Sequence, residues 1–99
     1  MKLRILSLAI EDLDRGRQFY ERQQEGLGDY FLDSLFSDID ALLLYAGIHL
    51  KVFGYFRALS DRFPYAIYYR LQDDEIQVWR VLDCRQDPGR TARSLRDTA

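Results

Sequence analysis

The chain has 99 residues, of which 47% are hydrophobic and 30% are charged, a composition typical of one small globular domain. No apolar run approaches the ~18 residues that a membrane span requires. The short apolar stretch at the N-terminus is followed at once by acidic residues, which argues against a secretory signal. We therefore predict a cytoplasmic protein with no membrane contact, folded as a single domain over residues 1–99.

The chain has one cysteine, Cys84, and one histidine, His49. A single cysteine cannot form an internal disulfide, and this pair is too small a set for a Cys/His zinc site. We expect Cys84 to be a small residue near a strand end, and His49 to be a residue at a helix end or on the surface. No metal and no other cofactor is expected.

The net charge of −2 is unevenly distributed along the chain. Residues 1–50 contain five basic and nine acidic residues, whereas residues 51–99 contain nine basic and seven acidic residues. The basic excess lies in the arginine-rich tail. Because nucleic-acid-binding domains usually carry a stronger basic footprint, the balance favours a protein partner or a small anion site.

The first half of the chain predicts a strand followed by two helices. Residues 2–7 alternate between apolar and polar side chains, which is typical of a short strand. From about Ala9 the apolar residues take helical spacing, and the helix is expected to end at Gly26-Leu27-Gly28. A second apolar stripe begins at Phe31 and ends near Gly47. Since very few residues join the two helices, they should form an antiparallel hairpin.

The second half has a β pattern. Strands are predicted at residues 52–59, 62–71 and 76–82, and the polar breaks between them have hairpin length. The resulting fold class is α+β, in the order β-α-α-β-β-β, with the helical hairpin packed on one face of a twisted antiparallel sheet. Residues 88–99 are expected to form a flexible tail or a short helix.

Several short segments carry a resemblance to a known family. They are Phe19-Tyr20-Glu21, Gly26-Leu27-Gly28 with Phe31, Arg62-Phe63-Pro64-Tyr65-Ala66-Ile67-Tyr68-Tyr69, and Val81-Leu82 followed by Arg85, Asp87 and Pro88. Together with the element order, they resemble the RelE/ParE toxin superfamily, in the branch called plasmid-stabilisation proteins, over about residues 3–90. The segment at residues 62–69 is the most specific.

The resemblance implies a toxin component of a type II toxin-antitoxin system, which inhibits growth and is neutralised in a hetero-oligomer with its cognate antitoxin. RelE-like members of the superfamily cut messenger RNA on the ribosome, whereas ParE-like members poison DNA gyrase. The fold is common to both and does not decide between them.

RNA cleavage requires side chains that transfer protons and cations that stabilise the phosphorane. Arg57 and Arg85 match cations of the RelE-like pattern and are the catalytic candidates if the chain is an RNase. The second strand cation falls on Leu59, Asp83 stands where related nucleases often have a histidine, and no Tyr, Trp or His follows Arg85. We therefore favour a non-enzymatic ParE-like toxin that binds gyrase. A RelE-like mRNA endonuclease and a non-toxic antitoxin-binding module remain the alternatives.

The aromatic side chains of residues 53–69 have two interpretations. Either they pair across strands as core residues, or they line a groove for an antitoxin segment that is disordered when free. The candidates for antitoxin binding are Tyr55, Tyr65, Tyr68, Arg57, Arg70 and Arg80. The three arginines lie on different predicted strands, where they serve either ion pairing or a cationic partner site. The sequence leaves the strand register open.

Overall fold

The computed structural model describes residues 1–98, which form a five-stranded sheet and four helices. In chain order the elements are β1 (Lys2–Ile5), α1 (Ser7–Gln23), α2 (Leu27–Asp40), α3 (Leu42–Tyr45), β2 (Lys51–Val52), β3 (Tyr55–Leu59), β4 (Tyr65–Gln72), β5 (Glu75–Asp83) and α4 (Pro88–Thr98). The strand order in the sheet is β1-β5-β4-β3-β2. The predicted α+β class and helical hairpin are confirmed.

The sheet is mixed, whereas the sequence predicted a purely antiparallel one. β1 runs parallel to β5, with Leu3 opposite Ile76, and the other strand pairs are antiparallel. A parallel pair needs a long crossover connection instead of a tight turn. The helices that follow β1 carry the chain across the sheet and allow this pairing.

The junction of the two long helices is fixed by Glu21. Its carboxylate accepts hydrogen bonds from the backbone N–H of Gly26 at 3.0 Å and from that of Gly28 at 2.9 Å. These bonds lower the pKa of Glu21. Gly26 has a φ of +87°, which favours glycine, and a Cβ on Gly28 would lie 2.6 Å from the carbonyl oxygen of Arg17. The turn predicted at these glycines is therefore confirmed.

The strand predicted at residues 52–59 is in fact two strands. Phe53 and Gly54 both have positive φ, +54° and +84°, and form a two-residue turn between β2 and β3. Such primed turns match the twist of a β-hairpin, and glycine accommodates the left-handed conformation. The correction makes β2 a short strand at the edge of the sheet.

The two faces of the sheet have separate cores. On the hairpin face, the side chains of β3, β4 and β5 pack against α1 and α2; this core includes Leu13, Phe31, Leu35, Ile39, Ile67, Tyr69, Val78 and Val81. On the opposite face, which we call the α4 face, Tyr55, Ala66, Tyr68 and Leu82 pack with Leu95 of α4. The tail predicted to be flexible or helical thus forms a helix that covers part of the sheet.

Within residues 1–98, no helix has the length and apolarity needed to cross a membrane. The same residues contain no group of three or more His, Cys, Asp or Glu side chains arranged to hold a metal ion.

Candidate functional site

Arg80 forms an ion pair that ties α1 and α4 to the sheet. Its Nε and Nη2 donate to the two carboxylate oxygens of Asp12 at 2.7 and 2.8 Å, and its Nη1 donates to Thr98 Oγ1 at 3.0 Å. Asp12 is buried and also accepts a hydrogen bond from the backbone N–H of Val81 at 3.0 Å. The bonds to Asp12 raise the pKa of Arg80. The guanidinium of Arg80 is therefore fully engaged within the protein, where it connects the sheet to α1 and α4.

Arg70 lies against two aromatic rings on the α4 face. Its guanidinium carbon is 4.1 Å from the ring centre of Tyr55 and 5.0 Å from that of Trp79. Cation–π contacts of this kind are worth about 0.5–1 kcal/mol at partly exposed sites. Trp79 is the extra residue of a β-bulge, because Tyr68 pairs with Arg80 and Tyr69 pairs with Val78. The bulge brings Trp79 and Arg80 to the same face.

Arg57 contacts only neutral groups. Its Nε donates to the hydroxyl oxygen of Tyr68 at 3.2 Å, and its Nη2 lies 3.6 Å from the sulfur of Cys84, which is exposed. The hydrogen bond to Tyr68 raises the pKa of Arg57. A cavity of about 290 Å³ opens beside the guanidinium; it is lined by Val52, Phe53, Arg57, Tyr68, Cys84, Gln86, Pro88 and Thr91. Arg57 is thus a cation placed at the edge of a concave surface.

Arg85, the second catalytic candidate, is held by Asp83. Its Nε and Nη2 donate to the two carboxylate oxygens at 3.0 and 2.8 Å, and its Nη2 also donates to the hydroxyl of Tyr20 at 3.4 Å. Burial raises the pKa of Asp83, but the hydrogen bonds and charge of Arg85 outweigh it and leave that pKa lowered. The side-chain hydrogen bond to Asp83 raises the pKa of Arg85. The cation is therefore largely neutralised by its neighbour.

Arg57 and Arg85 have different side-chain partners, although Arg57 contacts Cys84, the residue directly before Arg85. Arg57 contacts Tyr68, which belongs to the core of the α4 face, whereas Arg85 contacts Tyr20, which belongs to the core of the hairpin face. The two guanidinium groups have no hydrogen-bond partner in common.

His49 forms a hydrogen bond through Nδ1 with the hydroxyl group of Tyr69. The same hydroxyl oxygen accepts a hydrogen bond from the backbone N–H of Gly47 at 2.9 Å. Since Gly47 lies just beyond α3, the pair closes the end of that helix onto the sheet. This contact agrees with the helix-end role predicted for His49.

The three tyrosines named for antitoxin binding are buried. Tyr55, Tyr65 and Tyr68 are 1%, 7% and 3% exposed. Tyr55 and Tyr68 pack under α4, and Tyr65 packs against the ring of Phe31 on the hairpin face. They lie on both faces of the sheet and leave little surface for a partner, so their role in antitoxin binding stays a prediction.

Several strongly exposed aliphatic residues were not named as binding candidates from the sequence. Leu44 is 80% exposed, Leu50 84% and Leu59 62%, and Phe53 at the β2–β3 turn is 57% exposed. Apolar patches on the surface of small proteins often mark sites of interaction. The alternation of residues 52–59 is enough to place Leu59 on the same face as Arg57. The position of Leu50 depends on the turn at Gly54, which the sequence prediction missed.

Two comparisons with known proteins find a similar family and a similar structure. Residues 3–88 match the family model described as "ParE toxin of type II toxin-antitoxin system, parDE". Among solved structures, the fold is similar to a chain of the "Chromosomal ParDE TA system from P. aeruginosa", with a TM-score of 0.70 and 22% sequence identity, covering 82% of this chain and 92% of that chain. A comparison with curated protein sequences finds no match. The family match covers most of the chain, and the protein therefore belongs to the ParE toxin family of type II toxin-antitoxin systems.

Proposed function

We propose that this ParE-family toxin acts in the bacterial cytoplasm by binding DNA gyrase, and that direct binding of its cognate antitoxin neutralises it. The observation that carries the proposal is that Arg85, one of the two cations that RNA cleavage would require, is paired with Asp83, whereas Arg57 contacts only a phenol and a thiol. Inhibition by binding needs no catalytic groups, so a ParE-like action is compatible with this arrangement.

The available proton-transfer groups also argue against RNA cleavage. The histidine at position 49 is engaged with the hydroxyl of Tyr69, and Asp83 is engaged with Arg85. General acid–base catalysis requires a group of suitable pKa within hydrogen-bond reach of the reacting oxygen. Among residues 1–98, the side-chain partners of Arg57 are the phenol of Tyr68 and the thiol of Cys84, and no imidazole or carboxylate hydrogen-bonds to it.

Neutralisation by an antitoxin is supported by the family and by the surface. The family match names a toxin-antitoxin system. Exposed side chains such as Leu50, Phe53 and Leu59 give the folded chain apolar surface that a bound protein would cover. Antitoxin segments that are disordered when free can fold against surfaces of this type.

The experiment is inducible expression in a bacterium, with pulse-labelling of DNA and protein synthesis in the minutes after induction. We expect DNA synthesis to fail first while translation continues, and co-expression of the antitoxin to prevent the effect. An early stop in translation with messenger cleavage would instead assign a RelE-like endonuclease. Unaffected growth in the presence of folded protein would leave only an antitoxin-binding module.

A further inference from the structure

The α4 face of the sheet is only partly covered. α4 packs through Leu95 on Tyr55 and Tyr68, but several side chains of β2, β3 and their neighbours stay exposed. Among them, Leu50 is 84% exposed, Phe53 57% and Leu59 62%. We call the surface formed by Leu50, Phe53, Arg57 and Leu59 the Arg57 surface.

The strand register places these residues on one face. The backbone N–H of Arg57 donates to the carbonyl oxygen of Leu50 at 2.9 Å, so the two residues are opposite each other. Leu59 is opposite Ala66, a member of the α4-face core, and Phe53 lines the cavity beside Arg57. Side chains directly opposite in an antiparallel pair share a face.

The composition of this surface differs from that of an ordinary solvent-facing sheet. In an antiparallel sheet with one solvent-exposed face, apolar residues usually point inward and alternate with polar residues that point outward. Exposed apolar residues near an edge strand promote unwanted association unless a partner covers them. The aliphatic residues here therefore indicate a surface that is covered when the protein is in its complex.

Arg57 determines which charge a partner of this surface must carry. Arg80 and Arg85 each have a carboxylate partner, whereas the ion pairs formed within residues 1–98 leave Arg57 without one. Its contacts with the Tyr68 hydroxyl and the Cys84 sulfur hold the guanidinium in place without neutralising it. A partner that covers Arg57 must therefore supply a negative group, since an unpaired buried charge is costly.

A second copy of the chain fits this requirement poorly. A symmetric dimer across the Arg57 surface would bury both Arg57 side chains against the same patch, which contains Leu50, Phe53 and Leu59 but no carboxylate. Like charges placed together at an interface disfavour association. The surface therefore fits a different protein, one that carries apolar side chains and a carboxylate.

We propose that the Arg57 surface is the docking site of an antitoxin segment, which places apolar side chains on Leu50, Phe53 and Leu59 and one carboxylate on the guanidinium of Arg57. The inference rests on the proposed neutralisation by direct binding and specifies where it takes place. The segment also lies beside the free edge of β2, where Lys51, located between the paired residues Leu50 and Val52, offers its backbone groups outward.

The test is the affinity of the toxin for the purified antitoxin encoded beside it, measured by calorimetry for the wild type and for matched variants. Arg57→Glu should weaken binding by about 100-fold or more, since it places two like charges together. Leu50→Ser should weaken binding by about 10-fold through loss of apolar contact. The control is Leu44→Ser, the same change at an equally exposed leucine on α3, which should stay within about twofold of the wild type.

Circular dichroism would verify that each variant is folded, and a charge swap provides the second readout. Exchanging the partner carboxylate of the antitoxin for lysine should restore binding to Arg57→Glu and weaken binding to the wild type.

Wild-type affinity in both Arg57→Glu and Leu50→Ser would overturn the docking site while leaving neutralisation intact. A wild-type toxin that binds no antitoxin would overturn both proposals. A toxin dimer that Leu50→Ser dissociates, with antitoxin affinity unchanged, would assign the surface to a second copy.

Discussion

The two faces of the sheet differ in how completely they are covered. On the hairpin face, Phe31, Ile67 and Tyr69 have no exposed surface, and two long helices close over them. On the α4 face, a single helix packs on the sheet through Leu95, while Leu50 stays exposed and Arg57 partly exposed. The comparison indicates that the hairpin face supplies most of the stability, whereas the α4 face keeps surface available for a partner.

The largest expected effect comes from making the same substitution, phenylalanine to alanine, once on each face of the sheet. Phe31→Ala removes a fully buried ring that contacts Tyr20, Phe63 and Tyr65, and we expect a loss of about 3–5 kcal/mol in the free energy of unfolding. Phe53→Ala removes a ring that is 57% exposed and should cost less than about 1 kcal/mol. Urea denaturation of both variants provides the measurement.

The same pair of variants also tests binding. Phe53→Ala should retain stability but lose antitoxin affinity, because its ring belongs to the Arg57 surface. Equal losses of stability in Phe31→Ala and Phe53→Ala would contradict the difference between the two faces.

A smaller effect is expected where the two faces are joined. Asp12→Ala leaves the guanidinium of Arg80 without its carboxylate and the N–H of Val81 without an acceptor, and removing one partner of a buried pair costs about 3 kcal/mol. Since Arg80 also binds Thr98, hydrogen exchange in α4 should accelerate. The double variant Asp12→Leu/Arg80→Met should recover much of the loss, and a double variant as unstable as Asp12→Ala would contradict this explanation.

The buried phenol of Tyr65, on the hairpin face, should make the stability of the protein depend on pH. Burial raises its pKa from 10.0 to about 12, with the charge of Asp83 contributing in the same direction. The folded protein keeps the phenol proton to higher pH than the unfolded chain does, so the stability is present below pH 10 and is lost as the pH rises to about 12. Tyr65→Phe should remove about 2 kcal/mol of that fall, as measured by urea denaturation at pH 9 and 11.5. An identical fall in the variant and the wild type would show that Tyr65 is not the cause.

The smallest effect is expected for Asp83→Asn. Arg85 lowers the pKa of Asp83, so the pair stabilises the fold above the carboxyl's unfolded pKa of about 3.8, and that stability is lost as the pH falls through the lower folded value. The Arg85 side chain is 54% exposed, and solvent screening limits the gain to less than about 1 kcal/mol. The difference between Asp83→Asn and the wild type should be measurable at pH 7 and should disappear near pH 2. A loss above 2 kcal/mol would mean that Asp83 has a further structural role.

The elements predicted well from the sequence are those that local pattern specifies. The apolar stripe beginning at Phe31 and the glycines at 26 and 28 located the helical hairpin, because both signals act within a few residues. The single strand predicted at 52–59 was wrong because the alternation continues across the turn at Phe53-Gly54. The parallel partner of β1 depends on a contact more than 70 residues away, between Leu3 and Ile76, which local pattern does not contain.

The candidate site was harder to predict, because it depends on register and coverage. The β-bulge that leaves Trp79 unpaired places Arg80 opposite Tyr68, and only the structure fixes that position. The tyrosines were named for their chemistry, but the exposure of Tyr55 and Tyr68 is set by α4, whose packing through Leu95 the sequence left undecided. The exposed Leu50 is an ordinary aliphatic residue in sequence, and its significance comes from its place opposite Arg57.

The most direct test of the proposed action is DNA supercoiling by purified gyrase in the presence of purified toxin. We expect the toxin to inhibit supercoiling, the antitoxin to reverse the inhibition, and a messenger RNA incubated with the toxin and ribosomes to remain intact. Full supercoiling activity together with ribosome-dependent cleavage of the messenger would contradict the account.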